Sequence, residues 1–401
     1  MKKFAKQIVA AILGYQVRQL RKRHDFKIIG VVGSIGKTST KLAIAQTLSG
    51  GFKVRYQDGN YNDLVSVPLV IFDEPMPSLM NPFGWLSVFI RNQKNLKSYP
   101  YDVVVLELGS DGPGQIAQFK KYLNLEIGVV TAITPEHMEF FGTLDIVAEE
   151  ELAISQFSSL VLANKDLCDE KYLKQIPELL TYGIKSADYD LSIVGTTAKD
   201  KSQAEQYSLI AASAVARKLG MEPKEIAAGL AKIKAVPGRM QTLKGLNGSI
   251  IIDDTYNASP AAVKLALDYL YDLDAPKKIA ILGNMNELGA SSNSAHQEVG
   301  AYCDPKKLDL VITIGSDANE YLAKAAEAKG CKVQTFDNPY AIGEYLKPLL
   351  QKSDVVLAKG SQNGVFAEEA VKAILADPED VKRLVRQSPN WMKVKGKNFK
   401  G

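Results

Sequence analysis

Gly33-Ser34-Ile35-Gly36-Lys37-Thr38-Ser39 is the segment of this chain best equipped for chemistry. Glycines let backbone N–H groups crowd an anion, the lysine adds a point charge, and the Thr38 hydroxyl suits a magnesium ion. The pattern is a short variant of the P-loop, because Val31 stands where the strict form has its first glycine. Its chemistry is the binding of a nucleoside triphosphate, with Gly33, Ser34, Gly36, Lys37, Thr38 and Ser39 around the phosphates. Glu107 closes an apolar run over residues 101–108 and offers Mg2+ a hard oxygen donor, directly or through water. His137, one of three histidines, follows the apolar run 127–133 and reads as a metal ligand. Glu149, Glu150 and Glu151 point in three directions on a helix, so at most one of them serves such a site.

These residues need a strand, a loop and a helix in that order. Residues 28–32 form an apolar run expected as a buried parallel strand, and Leu42, Ile44, Ala45 and Leu48 after the loop carry helical periodicity. Further strands are expected at 53–56, 101–108, 127–133 and 161–164. Ligands bind beyond the carboxyl ends of strands in a doubly wound sheet, which puts Glu107 and His137 on one edge with the loop. Asn164-Lys165-Asp166 approximates a guanine-reading motif, but its closing acid would fall at Leu167, which disfavours GTP. Helices are expected at 206–219 and 223–232, and Pro237-Gly238-Arg239 marks a boundary. A second α/β pattern follows, with strands expected at 249–253, 278–282, 308–314, 332–336 and 355–358. Its polar strand ends are Asp253-Asp254-Thr255-Tyr256-Asn257, Gly283-Asn284-Met285-Asn286-Glu287 and Lys359-Gly360-Ser361. Two lobes with polar edges imply a cleft in which two substrates are joined over a nucleotide.

The expected fold class is therefore α/β: a P-loop central domain with a doubly wound, mostly parallel sheet, plus a C-terminal Rossmann-like α/β domain. The boundaries fall at 1–25 for a basic amphipathic helix, 26–236 for the ATP-binding domain, 237–386 for the C-terminal domain and 387–401 for a basic tail. With 401 residues, 46% of them apolar and 23% charged, the chain has the composition of a globular protein. A net charge of +4 gives no indication of a nucleic-acid partner. Cys168, Cys303 and Cys331 lack metal or disulfide spacing and fit a reducing cytoplasm. No apolar run reaches the roughly 18 residues of a membrane span. In the first segment Phe4, Ile8, Val9, Ile12, Leu13, Val17 and Leu20 fall on one side of a helix. That side either packs on the following domain or makes peripheral contact with a membrane surface. The polar stretch from Asp58 to Asp63 either binds ligand or simply turns. Residues 73–97 read as an insertion, with an aromatic helix at 83–90 whose apolar residues are expected against the domain, the alternative being an exposed aromatic and basic segment that meets a partner or lipid headgroups. The basic ends, 18–27 and 393–400, read as solvated flanks.

Together, the loop at 33–39, Glu107 before Gly109, and His137-Met138-Glu139-Phe140-Phe141-Gly142-Thr143 resemble the ATP-dependent Mur ligases, as do Gly238-Arg239 and Asp253-Asp254-Thr255-Tyr256-Asn257-Ala258-Ser259-Pro260. The stretch Leu282–Gly289, with His296 and Gly300 beyond it, looks like the branch that adds D-alanyl-D-alanine to UDP-N-acetylmuramoyl-tripeptide in peptidoglycan precursor synthesis. The resemblance covers roughly residues 26–375. It implies that ATP phosphorylates a carboxylate, that an amine attacks the acyl phosphate, and that phosphate leaves. By matched position, Lys37 and Thr38 would hold phosphates and magnesium, while Glu107 and His137 would hold the metal. Arg239 would reach the γ-phosphate, Asp254 the ribose and Tyr256 the adenine. Asn257, Glu287 and Lys359 would fall on the substrate side. The expected cofactors are ATP and Mg2+, and the expected substrates a carboxylate acceptor and a D-Ala-D-Ala-like amine.

Three departures accompany the resemblance. Where the family commonly carries a carbamylated lysine this chain has Glu151, whose carboxylate presents the same pair of oxygens without CO2. The family's His-Asn segment is not recognisable around Ala204 to Ser208. Only about 25 residues precede the first strand, too few for the usual UDP-sugar domain, so the acceptor is expected to bind differently, to be supplied by a partner protein, or not to be a UDP-muramoyl peptide. The alternatives are a ligase of the same fold acting on another carboxylate, and a non-catalytic ATP-binding scaffold.

Overall fold

Apolar runs too short for helices and too continuous for half-exposed strands form parallel strands buried on both faces. In the computed structural model, which describes residues 2–57 and 61–399 and side chains from Ala5 onward, such runs build two six-stranded sheets, one in each of two units. Phe4, Asp58-Gly59-Asn60 and Lys400, each part of a sequence-based expectation, lie outside the described side chains.

The first unit comprises Met1–Thr134 and Phe140–Ile233. Its strands are β1 (Lys27–Val32), β2 (Val54–Arg55), β3 (Val103–Glu107), β4 (Leu125–Val130), β5 (Ser158–Asn164) and β6 (Leu179–Tyr182), all parallel in the order β2-β3-β1-β4-β5-β6. The chain winds outward from β1 to β2 and returns across it from β3 to β4, so β1 lies at the switch point where such sheets hold ligands. The register sets Val31 beside both Glu107 and Val129. β2 is a two-residue edge strand that is itself half-exposed, and β6 pairs with β5 and, through Tyr182, makes a single bridge to Tyr189. That pairing, rather than any local run, makes β6 a strand.

Four helices frame the first unit's surface and its phosphate loop: α1 (Lys2–Arg23), α2 (Lys37–Leu48), α3 (Ser66–Phe72) and α4 (Pro82–Asn95). α1 docks through Val9, Leu13, Val17 and Leu20, and Val9 and Leu13 share a core with Val65, Leu69, Trp85 and Val88. The polar Gln16 is also buried; it donates to the Phe89 carbonyl (2.9 Å) and accepts from Asn92 (2.8 Å), joining α1 to α4. The single apolar face expected for α1 is therefore divided. Ile8 and Ile12 face solvent, because the apolar arc is wider than the surface it covers. α4 divides in the same way, burying Trp85 and Val88 and exposing Phe83, Leu86 and Ile90.

The second unit comprises Lys234–Gly401 and the excursion Pro135–Glu139. Its strands are β7 (Gln241–Lys244), β8 (Ile250–Asp254), β9 (Lys278–Gly283), β10 (Leu310–Ile314), β11 (Val333–Phe336) and β12 (Val355–Lys359), in the order β11-β10-β9-β12-β8-β7. All are parallel except β7, an antiparallel edge strand whose alternating burial conceals it among polar residues.

The C-terminal segment corrects one expectation. Residues from Pro389 to Asn398 form a helix, not a solvated tail, and Lys395 on it is fully buried. Its ammonium lies 2.8 Å from Glu368 and 2.6 Å from Glu369, and donates to the Arg386 carbonyl. A buried charge survives only when paired and hydrogen-bonded, and here it has three partners. Burial opposes the charged form of Glu369, but the bonds from Lys395 and Gln387 outweigh it and hold its carboxyl below the ordinary range. Lys395→Met is expected to cost about 3–5 kcal/mol in denaturant unfolding, because it removes the buried cation shared by Glu368 and Glu369. Replacing the exposed Lys393 by Met should change stability by less than about 0.5 kcal/mol. A depressed carboxyl pKa stabilises above the ordinary carboxylate value and is lost as pH falls through the folded one. The difference between wild type and Lys395→Met should therefore shrink in acid.

Candidate nucleotide and ligation site

β1 ends at Val32, and the chain must reverse at once to enter α2. Gly33 makes the reversal with φ +126°, and a Cβ there would lie 2.2 Å from the Thr131 hydroxyl and 2.7 Å from the Ala132 nitrogen. Only glycine fits. Gly36, at φ +81°, starts α2 in a left-handed conformation with no side-chain cap, leaving the start of the helix suited to an anion. The loop is pinned from β4: the Thr131 hydroxyl donates to the carbonyls of Val32 or Ile35, Ser34 N–H donates to the Ala132 carbonyl, and Thr134 N–H donates to the Ser34 hydroxyl (2.9 Å). The Lys37 ammonium lies over the loop, 2.5 Å from the Gly33 carbonyl and 3.4 Å from that of Ser34. Thr38 is buried and Ser39 half-buried in the first turn of α2. The result is a preformed backbone nest for phosphate oxygens.

One carboxylate contacts this nest, and a second ends the neighbouring strand β3. Glu107, at the end of β3, is buried, and its Oε2 accepts no hydrogen bond but lies 3.4 Å from the ammonium of Lys41. Lys41 sits one turn past Lys37 on α2, a spacing that could have revealed it. Glu151 reaches the loop from the helix Leu144–Leu152, its Oε2 accepting the Gly33 N–H at 2.7 Å. The neighbouring acids go elsewhere. Glu150 accepts the N–H groups of Gly114, Gln115 and Ile116, and Glu149 faces solvent. Burial, and then the nearby Glu151 carboxylate, push the Cys168 thiol up to about 12, so it stays a neutral core residue.

Among the described residues no three His, Cys, Asp or Glu side chains form a metal cage. Mg2+ rarely needs one, since it typically takes one or two carboxylates plus substrate phosphates. The buried, unbonded Oε2 of Glu107 and the Thr38 hydroxyl are donors of that kind. Asn164, Lys165 and Asp166 are occupied structurally: Lys165 donates to the Ser186 carbonyl and Asp166 accepts from Ile184 N–H.

His137 is grouped with the second unit, where its Nδ1 lies 2.6 Å from Glu287 Oε2 in an ion-pair approach out of line for a hydrogen bond. Both residues have left-handed backbones, at φ +50° and +64°. The loop carrying Glu287 is set by His296, a buried ring that accepts Met285 N–H at 3.0 Å and whose pKa burial lowers. It is a structural histidine.

The remaining candidates converge where β8 and β12 end side by side. Asp254 accepts Met240 N–H and pairs with Lys359 at 2.5 Å, and Lys359 also donates to the Asn257 carbonyl. Arg239 stacks its guanidinium over Tyr256, 4.1 Å from the ring centre. Lys359 and Asn257 thus stand with Asp254 and Tyr256, while Glu287 stands with His137. Sequence reasoning missed Arg386, which donates to the carbonyls of Thr255 and Tyr256 and is held by both oxygens of Glu368. No local motif announces it. Asp253 is fully buried, with one oxygen accepting from Thr255 and the other unbonded; burial raises its pKa to about 6.

The chain matches the Mur ligase middle domain over residues 31–219 and the Mur ligase glutamate ligase domain over 238–362. It is 28% identical over 384 residues to the UDP-N-acetylmuramoyl-tripeptide–D-alanyl-D-alanine ligase of Bacillus subtilis, covering 88% of this chain and 76% of that one. Its fold is similar to that of the MurF ligase from Thermotoga maritima in complex with ADP (TM-score 0.72, 24% identity, 93% and 84% of the two chains). It is also similar to a pseudomurein peptide ligase type C from Methanothermus fervidus (0.64, 16%, 88% and 80%).

Gly33→Ala is expected to abolish detectable ADP binding in titration calorimetry, since the added methyl would displace Thr131 and break the nest. Asp253→Asn should leave stability nearly unchanged at pH 4. At pH 8, where the wild type ionises a buried acid, it should add up to about 3 kcal/mol, read by urea unfolding. The sign follows from the raised pKa: its stabilising effect is complete below the ordinary value and lost as pH rises through about 6.

Proposed function

Since this chain belongs to the Mur ligase family and is an ATP-dependent ligase, we propose that it joins D-alanyl-D-alanine to the carboxylate of a UDP-N-acetylmuramoyl-tripeptide. The observation that carries the reading is the preformed nest at Gly33–Ser39, with the Glu151 carboxylate fixed on the Gly33 N–H, in a chain matching both family domains. A carboxylate is a poor electrophile, so it is first phosphorylated by ATP; the amine then attacks the acyl phosphate and phosphate departs. Lys37 and the first N–H groups of α2 take the charge on the phosphates. Bound Mg2+ would supply further neutralisation, with Thr38 and Glu107 as its protein donors and His137 as an additional candidate. Asp254 would take the ribose, Tyr256 the adenine and Arg239 the γ-phosphate. Asn257, Glu287 and Lys359 would fall on the substrate side. Glu151 works without carbamylation, since its carboxylate is already fixed on the Gly33 N–H. We place the reaction in the cytoplasm, consistent with three buried free thiols.

Phosphate release from ATP should require both D-Ala-D-Ala and the UDP-muramoyl-tripeptide, with mass spectrometry finding the pentapeptide product. Turnover needing neither, or needing a different carboxylate, would overturn the assignment. Lys37→Ala should lower kcat by about 10²-fold or more. Glu151→Ala should lose about 10- to 100-fold, with bicarbonate making no difference to the wild type. Full activity in Glu151→Ala would remove that residue from the mechanism.

A further inference from the structure

α1 and α4 carry a feature that ligation does not use. α1 turns Ile8, Ile12 and Tyr15 to solvent, and α4 turns out Phe83, Leu86 and Ile90, with Phe83 81% exposed. Each trio has helical spacing; on α4 it lies opposite the buried Trp85, Val88 and Asn92, and on α1 it flanks the buried face. Beyond each stripe, toward the helix C-terminus, come exposed bases: Arg18, Lys22 and Arg23 on α1, and Lys94 on α4 with Lys97 just past it. The two helices are tied together by the buried Gln16 bridge.

The charge pattern identifies what fits. Residues 1–24 and 75–101 contain ten of the 49 Lys and Arg and none of the 45 Asp and Glu; Asp25, Glu74 and Asp102 flank these segments, and of the ten bases Lys6 and Arg91 pair with Asp63 and Glu74. An exposed apolar stripe ending in bases and free of acids complements an anionic bilayer surface, where apolar side chains enter the headgroup boundary and lysines and arginines meet phosphates. None of the described helices is long and apolar enough to cross a membrane, so any such contact lies along the surface. We propose that α1 and α4 together seat the first unit on an anionic phospholipid surface, with Ile8, Ile12, Phe83, Leu86 and Ile90 inserted and the five bases on the phosphates. This seating is independent of the ligation substrates.

The test is co-sedimentation of the full chain with vesicles of phosphatidylglycerol and phosphatidylcholine in equal parts, against vesicles of phosphatidylcholine alone. Binding to the anionic vesicles is expected to be about tenfold tighter and to weaken as salt rises. Phe83→Ser with Leu86→Ser and Ile90→Ser should weaken it by about tenfold or more. Lys94→Glu with Lys97→Glu should remove the preference for anionic lipid. Unchanged ADP affinity reports that each variant is folded. No sedimentation of wild type with anionic vesicles, or equal sedimentation of the variants, overturns the proposal. So does a wild-type dimer, measured by light scattering, that the Phe83 variant dissolves, because the stripe would then be an interface between copies of this chain.

Discussion

The reversal at Gly33 is the constraint on which the first unit depends. Thr131 and Ala132 crowd the inside of the turn so closely that no side chain fits there, and the same crowding holds the backbone still. Rigidity matters because phosphate recognition by N–H groups is strongest when the dipoles need not reorganise. Glu151 adds a second anchor at the same N–H-bearing residue, Gly33. The switch point of the sheet then delivers Glu107 in register with Val31, two residues before the turn.

The second unit solves a different problem, burying charge near its polar strand ends. Lys359 and Asp254 neutralise one another on adjacent strands, while Arg386 and Lys395 share Glu368 and Lys395 also meets Glu369. Removing an ion pair from water is costly unless every partner is satisfied, and these pairs are satisfied mainly by one another and by backbone carbonyls. The Thr255–Tyr256 backbone is thereby clamped from the C-terminal segment. A stretch with the composition of a solvated basic tail is part of the support for the Thr255–Tyr256 loop.

Most strands and helices were legible because their signals are local. A buried parallel strand announces itself as a short apolar run, a helix by its 3.6-residue period, and a P-loop by glycine, lysine and threonine in fixed order. β6 and β7 were not, since Leu179–Tyr182 and Gln241–Lys244 become strands by pairing at a sheet edge. The exposure of Ile8 and Ile12 was hidden for the converse reason. Periodicity shows that an apolar arc exists, but not how much of it a neighbour covers.

The sequence alone determined the doubly wound character of both units, the glycine turn after β1 and the polar residues at the strand ends, because chain-local geometry suffices for each. Only the tertiary structure decided that Glu151, and not Glu149 or Glu150, meets the nest, that Lys41 faces Glu107, and that Lys359 belongs to Asp254. Glu151 is 118 residues from Gly33 and Lys359 is 105 from Asp254. Over such separations, packing chooses a charged side chain's partner by removing the pair from water, and no spacing along the chain records that choice.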